Sequence, residues 1–185
     1  RMFFDTGNGK ELITGVNSSF SWPSTGVRHE LSVWGRFAGF TGTGQGLVKS
    51  KFSSNKNITH LNLGGNKIST LDIGELTGLR SLICSNNSIA RLDAGNKLSL
   101  SYLDYANNTG NYLNIGGSST LTGVRAQNNR LASIYVDSAL GALVSGLKYS
   151  GYVNFSGSSG ISTSSLSYVS TLTGRSWSAI YEYSP

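Results

Sequence analysis

Four asparagines, Asn66, Asn87, Asn108 and Asn129, stand at a constant spacing of 21 residues, and the apolar residues around each keep the same phase. The first copy carries Leu61, Leu63, Ile68, Leu71 and Ile73, and the second carries Leu82, Cys84, Ile89, Leu92 and Ala94. Leu103, Tyr105, Leu113 and Ile115 belong to the third, and Val124, Ala126, Leu131, Ile134 and Val136 to the fourth. A fixed period of this length marks supersecondary units that each own one apolar side and bury it only by stacking on a neighbour. Side chains alternate along a strand, so in each triplet the two apolar residues point inward and their neighbours outward. Each Asn falls where the strand turns away, and its amide can serve backbone groups of its own turn and of the next unit.

The four copies read HLNLGGNKISTLDI, SLICSNNSIARLDA, YLDYANNTGNYLNI and GVRAQNNRLASIYV. They resemble the leucine-rich repeat pattern LxLxxNxLxxL, over residues 58–143, and look most like the short bacterial and phage surface repeats of Bacteroidetes type. The resemblance implies a β-rich leucine-rich-repeat solenoid of the α/β horseshoe class with 21-residue coils. It also implies a second short strand after each Asn turn, at Leu71 to Ile73 in the first copy. Gly110 departs from the pattern, standing where the other copies have Ile68, Ile89 and Leu131, and looser packing is expected there.

Stepping back one period places Phe37 on Ile58, Phe40 on Leu61, Gln45 on Asn66, Leu47 on Ile68 and Phe52 on Ile73. Residues 37–57 therefore read as a degenerate first repeat with Gln in place of Asn. Residues 1–36 read as a small β cap: Phe3 to Gly9 suggests a strand running into a Gly/Asn turn, and Glu30 to Trp34 alternates with Leu31 and Val33 on one face. This cap is similar to the truncated PKD-like β segments that precede such repeats. Residues 144–185 read as a degenerate repeat and a C-terminal cap. Val153 and Phe155 continue the rhythm 19 residues after Ile134 and Val136, and the Asn column ends. Leu166, Val169 and Leu172 then follow at helical spacing within Ser162 to Thr173, and Trp177 to Tyr183 reads as a final strand. The ending LSYVSTLTGRSW is similar to the helix-then-strand closure of the same bacterial and phage repeats.

Composition narrows the function. Charged residues make up 13% of the 185, against roughly 25% in ordinary soluble domains, so Ser, Thr, Asn and Gly must cover the surface. Such a surface suits an extracellular protein or an assembled particle, and the resemblance implies a bacterial cell surface or a virion. A single cysteine, Cys84, excludes an internal disulfide framework. The most apolar stretch, around Ala139 to Leu147, is far shorter than the roughly 20 residues of a membrane span, so no membrane insertion is expected. Arg1, Met2 and Phe3 carry no charged-then-apolar export pattern, and this end says nothing about export. The net charge of +6 is scattered apart from a loose cluster at Lys49, Lys51 and Lys56, with no nucleic-acid-binding signature, so no nucleic-acid partner is expected.

Catalysis needs converging titratable groups, and His29, His60, Cys84 and nine carboxylates are dispersed. Cys84 takes an inward position, His29 adjoins Glu30 at a strand start, and Gly42 to Gly46 reads as a turn rather than a phosphate loop. No enzyme activity, catalytic residue, metal site or cofactor is expected. The sequons at Asn17, Asn57, Asn86, Asn107 and Asn154 arise easily in so Asn-, Ser- and Thr-rich a chain and receive no role. Partners belong instead on the outward rows. His60, Asn62, Ile83, Tyr102, Asp104, Arg125 and Gln127 are the candidate contacts; Asp104 and Arg125 are expected to be neighbours on adjacent strands, and the alternative to a partner contact is a solvated sheet on which they pair with each other. A protein or surface glycan is the expected partner, and self-assembly or a place in a virion is the alternative.

Overall fold

The computed structural model describes residues 2–5, 10–13, 29–33, 39–41 and 47–52 as strands, and residues 57–182 throughout. Strands β1 (Met2–Asp5) and β2 (Lys10–Ile13) pair antiparallel, with Asp5 opposite Lys10. Strands β3 (His29–Val33), β4 (Gly39–Thr41) and β5 (Leu47–Phe52) follow, β3 running parallel to β5 across a register shift after His29. Trp34, Phe37, Gln45, the Gly42 to Gly46 turn, Lys56, Asn17 and Tyr183 lie outside the described residues, as do the side chains of His29, Leu31 and Val33.

From residue 57 each of the first three units supplies two short strands, and the fourth supplies one. The first row holds β6 (His60–Asn62), β8 (Ser81–Ile83), β10 (Tyr102–Asp104) and β12 (Gly123–Arg125); the second holds β7 (Thr70–Asp72), β9 (Arg91–Asp93) and β11 (Tyr112–Asn114). First-row strands pair in parallel, Leu61 with Leu82, Leu82 with Leu103, and Leu103 with Val124, each step 21 residues. Phe40 pairs with Leu61, and Lys49 with Thr70, at the same offset. The outcome is a mostly parallel-strand, β-rich architecture with few helices, compatible with a solenoid-like fold.

The fourth unit departs from expectation. Helix α1 (Ser133–Ser145) replaces the second-row strand that Ile134 and Val136 were to fill. Ile134 is 69% exposed, and Val136 is buried on the helix with Ala139, Leu140 and Leu143. The competing patterns differ in length. Alternation supports only two strand positions, whereas Val136, Ala139, Leu140 and Leu143 make an apolar stripe of two helical turns. The chain leaves α1 at Gly146, whose N–H bonds Ala142 O at 3.1 Å.

The helix lengthens the step, and this corrects the placement of Val153. In strand β13 (Tyr152–Asn154), Val153 pairs with Val124 of the first row (153 − 124 = 29) rather than continuing the second row of Ile134 and Val136. A 3₁₀ turn at Thr163–Ser165, helix α2 (Leu166–Gly174) and strand β14 (Ser178–Ile180) complete the described chain, β14 lying parallel to β13 as the outer strand of the seven-stranded sheet. Leu172 is buried and Val169 partly so, but Leu166 is 43% exposed, so only part of the threefold stripe is covered. Trp177 packs against Gly151, where any side chain would collide with its ring, and its Nε1 donates to Lys148 O at 3.0 Å.

The core is a set of columns that run through the stack. Leu61, Leu82, Leu103, Val124 and Val153 form one, and Leu63, Cys84, Tyr105, Ala126 and Phe155 another, all buried. Ile58, Leu79, Leu100 and Leu121 form a further buried column that the repeat pattern leaves unassigned. Each buried Leu stabilises by roughly 1.5–3 kcal/mol, which is how so polar a chain holds together without a disulfide. Packing at Gly110 is tight rather than looser, because the Tyr105 ring fills the place of the missing Ile. A Cβ on Gly110 would collide with the Tyr105 hydroxyl, which donates to Ile89 O at 2.9 Å.

Candidate functional site

Three of the four periodic asparagines, Asn87, Asn108 and Asn129, share one bonding pattern. Asn87 Oδ1 accepts from Ile68 N at 3.0 Å while its Nδ2 donates to Leu63 O at 2.9 Å and Cys84 O at 3.1 Å. Asn108 repeats this with Ile89 N at 2.9 Å and with Cys84 O and Tyr105 O, both at 3.1 Å. Asn129 does so with Gly110 N at 2.9 Å and with Tyr105 O and Ala126 O at 2.9 and 3.0 Å. Asn66 Nδ2 donates to Leu63 O at 2.9 Å. The amides of Asn87, Asn108 and Asn129 thus tie the end of their own strand to backbone of the neighbouring unit, meeting polar groups that the strand ladders leave over. Ser158 takes the next place in the file, since Ser159 N donates to Leu131 O as Arg130 N does to Gly110 O. Its shorter side chain leaves a buried Oγ without a partner among the described residues.

Two further ladders had no place in the sequence reading. Asn86, Asn107 and Asn128 adopt φ of 56°, 54° and 57°, a conformation that Asn tolerates better than most residues, as Gly65 does at φ 70° in the first unit. Their amides chain together, Asn107 Nδ2 to Asn86 Oδ1 at 2.9 Å and Asn128 Nδ2 to Asn107 Oδ1 at 2.7 Å. The Asn-Asn dipeptides were the available signal. On the second row Asp72, Asp93 and Asn114 each accept from the N–H two residues on, at 2.9, 3.0 and 2.9 Å. Beside them Arg91 lies 4.1 Å over the Tyr112 ring, which meets Tyr135 of α1 edge-on at 5.0 Å.

The outward face of the first row carries two lines of side chains. One runs His60, Ser81, Tyr102, Gly123, Tyr152, Ser178; the other runs Asn62, Ile83, Asp104, Arg125, Asn154, Ile180. All seven candidate contacts stay on or beside this face: His60 and Arg125 are exposed, and Asn62, Ile83, Tyr102, Asp104 and Gln127 half-buried. Tyr152 and Asn154 join them although the sequence spacing assigned their strand elsewhere. Asp104 and Arg125 are register partners, yet among the described residues no ion pair joins them. Asp104 Oδ1 instead accepts from Ala106 N at 3.1 Å, a turn contact that holds the carboxylate against its own strand.

Tyr102 leans over Gly123, where an added Cβ would sit 2.8 Å from its Cδ2. Partial burial, Asp104 and Tyr152 raise the Tyr102 phenol pKa, and Arg125 opposes them. Tyr152 Oη accepts from Asn154 Nδ2 at 3.1 Å. Gln127 Oε1 is buried and has no hydrogen-bond partner among the described residues. At the far end of the face, His60 Nδ1 and Thr59 Oγ1 lie 2.9 Å apart. Cys84 is fully buried, and burial first, then Asp104, pushes its thiol far above the ordinary range.

Among the described residues no group of three or more His, Cys, Asp or Glu converges to hold a metal. Nor is any helix among them long and apolar enough to cross a membrane. No family model matches the chain, and no curated protein matches its sequence.

Proposed function

We propose that the chain is a leucine-rich-repeat module of the short bacterial type, acting outside the cell by binding rather than catalysis. Its working surface is the outward face of the first strand row, offered to a protein or glycan. The observation that carries this reading is the pair Asp104 and Arg125, adjacent in register and joined by no ion pair among the described residues, beside the half-buried Tyr102. Aromatic and Arg side chains of this kind dominate the energetics of recognition surfaces. Binding of the fluorescently labelled chain to intact bacterial cells tests the proposal. The double variant Tyr102→Ala/Arg125→Ala should lose at least about tenfold in affinity, which is roughly 1.4 kcal/mol. Undiminished binding would remove this face as the site.

A second reading, a structural component of a virion such as a decoration or tail protein, draws on the outer strand β14. Ile180 is 45% exposed there, and among the described residues no strand pairs with its free edge. Such an edge is a template for another chain. Mass spectrometry of purified virions and of shaved cell surfaces separates the two readings, and abundance in virions would end adhesion as the main role.

A further inference from the structure

Three strands bring five side chains to one place on the outward face: Tyr102 and Asp104 from β10, Arg125 from β12, and Tyr152 and Asn154 from β13. Register sets Tyr102, Gly123 and Tyr152 in one line across the sheet and Asp104, Arg125 and Asn154 in the next. Gly123 contributes no side chain, and Tyr102 leans into the room this leaves. On the far side Asn154 Nδ2 holds the Tyr152 hydroxyl at 3.1 Å. Strands lie roughly 4.8 Å apart, so the two tyrosines rise from backbones about 10 Å apart, with the Tyr102 ring laid over the Gly123 backbone between them.

The two charges beside this ring form no ion pair among the described residues. One oxygen of Asp104 is held by Ala106 N–H and the other takes no hydrogen bond among the described residues. The exposed Arg125 guanidinium forms neither hydrogen bond nor ion pair with them. A guanidinium presents a planar fork of donors that matches a carboxylate bidentately. A tyrosine ring offers an apolar surface on which the C–H face of a pyranose can pack, and a carboxylate oxygen accepts from a sugar hydroxyl. A chain of net charge +6 also favours an anionic partner over a neutral one.

We propose that Tyr102, Asp104, Arg125, Tyr152 and Asn154 form a subsite for one acidic sugar residue, a carboxylate-bearing pyranose of a surface polysaccharide. The inference rests on the outward face being the working surface and adds the chemistry of its ligand. The pyranose packs on Tyr102 above Gly123, its carboxylate meets Arg125, and one hydroxyl donates to Asp104. A protein epitope fits less well, because anchors of protein interfaces project into a partner's pocket, whereas Tyr102 leans along its own sheet.

Calorimetric titration of the chain with an oligogalacturonate and with its carboxyl-reduced counterpart tests this. The acidic oligomer should bind at least about tenfold tighter than the reduced one, the scale of one charge-assisted contact. Arg125→Gln should erase that difference, Tyr102→Ala should weaken both oligomers alike, and Lys67→Ala, an exposed change outside the first strand row, should change neither. Arg125 is exposed, so its variant keeps the fold and decides the matter even where Tyr102→Ala costs stability. Equal affinity for the two oligomers, indifference to Arg125→Gln, or no binding of either overturns the subsite. The cell-binding assay separates that failure from a wider one. If cell binding falls in the Tyr102/Arg125 double variant while neither oligomer binds, the face stands and a protein partner takes precedence. If cell binding is also unchanged, the face falls with the subsite.

Discussion

Tyr105 and Gly110 exchange volume across one unit, and a double-mutant cycle can measure it. The fourth unit fills the same two positions with Ala126 and Leu131, so Tyr105→Ala with Gly110→Leu rewrites the third unit in the fourth's terms. Alone, Tyr105→Ala empties a fully buried ring site and removes the donor to Ile89 O. Loss of a buried aromatic costs roughly 3–5 kcal/mol, and a carbonyl left unpaired adds about 1–3 kcal/mol. Alone, Gly110→Leu overpacks: an added Cβ already lies 2.5 Å from Asn129 Oδ1 and 2.7 Å from Tyr105 Cζ, before the rest of the side chain is placed. Overpacking typically costs about 1–3 kcal/mol, and here the neighbour is a fully buried ring whose hydroxyl is hydrogen-bonded, so the upper end applies. The amide itself is no obstacle, because Asn87 Oδ1 accepts from Ile68 N at 3.0 Å with a side chain present. In the double variant the introduced leucine side chain occupies the vacated ring site. Urea unfolding, followed by tryptophan fluorescence, should give a double variant more stable than Tyr105→Ala and a favourable coupling of at least about 2 kcal/mol. Additive losses would refute the volume exchange.

Asn108→Ala strips Ile89 N of its acceptor and should cost at least about 1–3 kcal/mol in the same assay. Asn107, at φ 54°, separates conformation from bonding: Asn107→Val should lose about 1–2 kcal/mol and Asn107→Gly much less, and equal losses would locate the effect in the amide ladder instead. Cys84 should resist a thiol reagent in the native state and react on unfolding, because burial holds the thiol protonated; rapid native labelling would contradict its place in the core. Burial, with a smaller part from Cys84, raises the Tyr105 phenol well above its ordinary value. The folded state therefore keeps a proton that the unfolded chain releases near pH 10, and stability should fall as the pH rises through about 10. Tyr105→Phe should flatten that decline, and an unchanged slope would assign it to other groups.

Sequence spacing made the first strand row legible, because parallel pairing at a constant step needs only that Leu61, Leu82 and Leu103 recur in phase. The shared bonding of Asn87, Asn108 and Asn129 was legible for the same reason. Three things were hidden. The apolar stripe of α1 overlaps the alternation at Ile134 and Val136, and local pattern cannot weigh two strand positions against two helical turns. The volume exchange between Tyr105 and Gly110 is invisible to a reading that scores each column separately. The expected ion pair of Asp104 and Arg125 assumed that register partners join, whereas a carboxylate two residues before a free backbone N–H has a nearer partner in its own strand.

The helix also decides where the outward face ends. First-row pairing continues across the longer step with the same bonds as before it: Ala126 N to Asn154 O at 2.9 Å matches Cys84 N to Asp104 O at 2.8 Å. Strand pairing answers to backbone groups and is indifferent to the length of chain looped out between them, since closing a somewhat longer loop adds little entropy cost. The second row has no such tolerance, because α1 takes the place of its next strand. Residues irregular in number are thus regular in space, and Tyr152 and Asn154 stand in line with Tyr102, Asp104 and Arg125. A face drawn at intervals of 21 would stop at β12 and leave Gly123 at its rim. Drawn from the pairing, it sets Gly123 between two tyrosines, and the place where Tyr102 lies over Gly123 becomes an interior feature of the sheet.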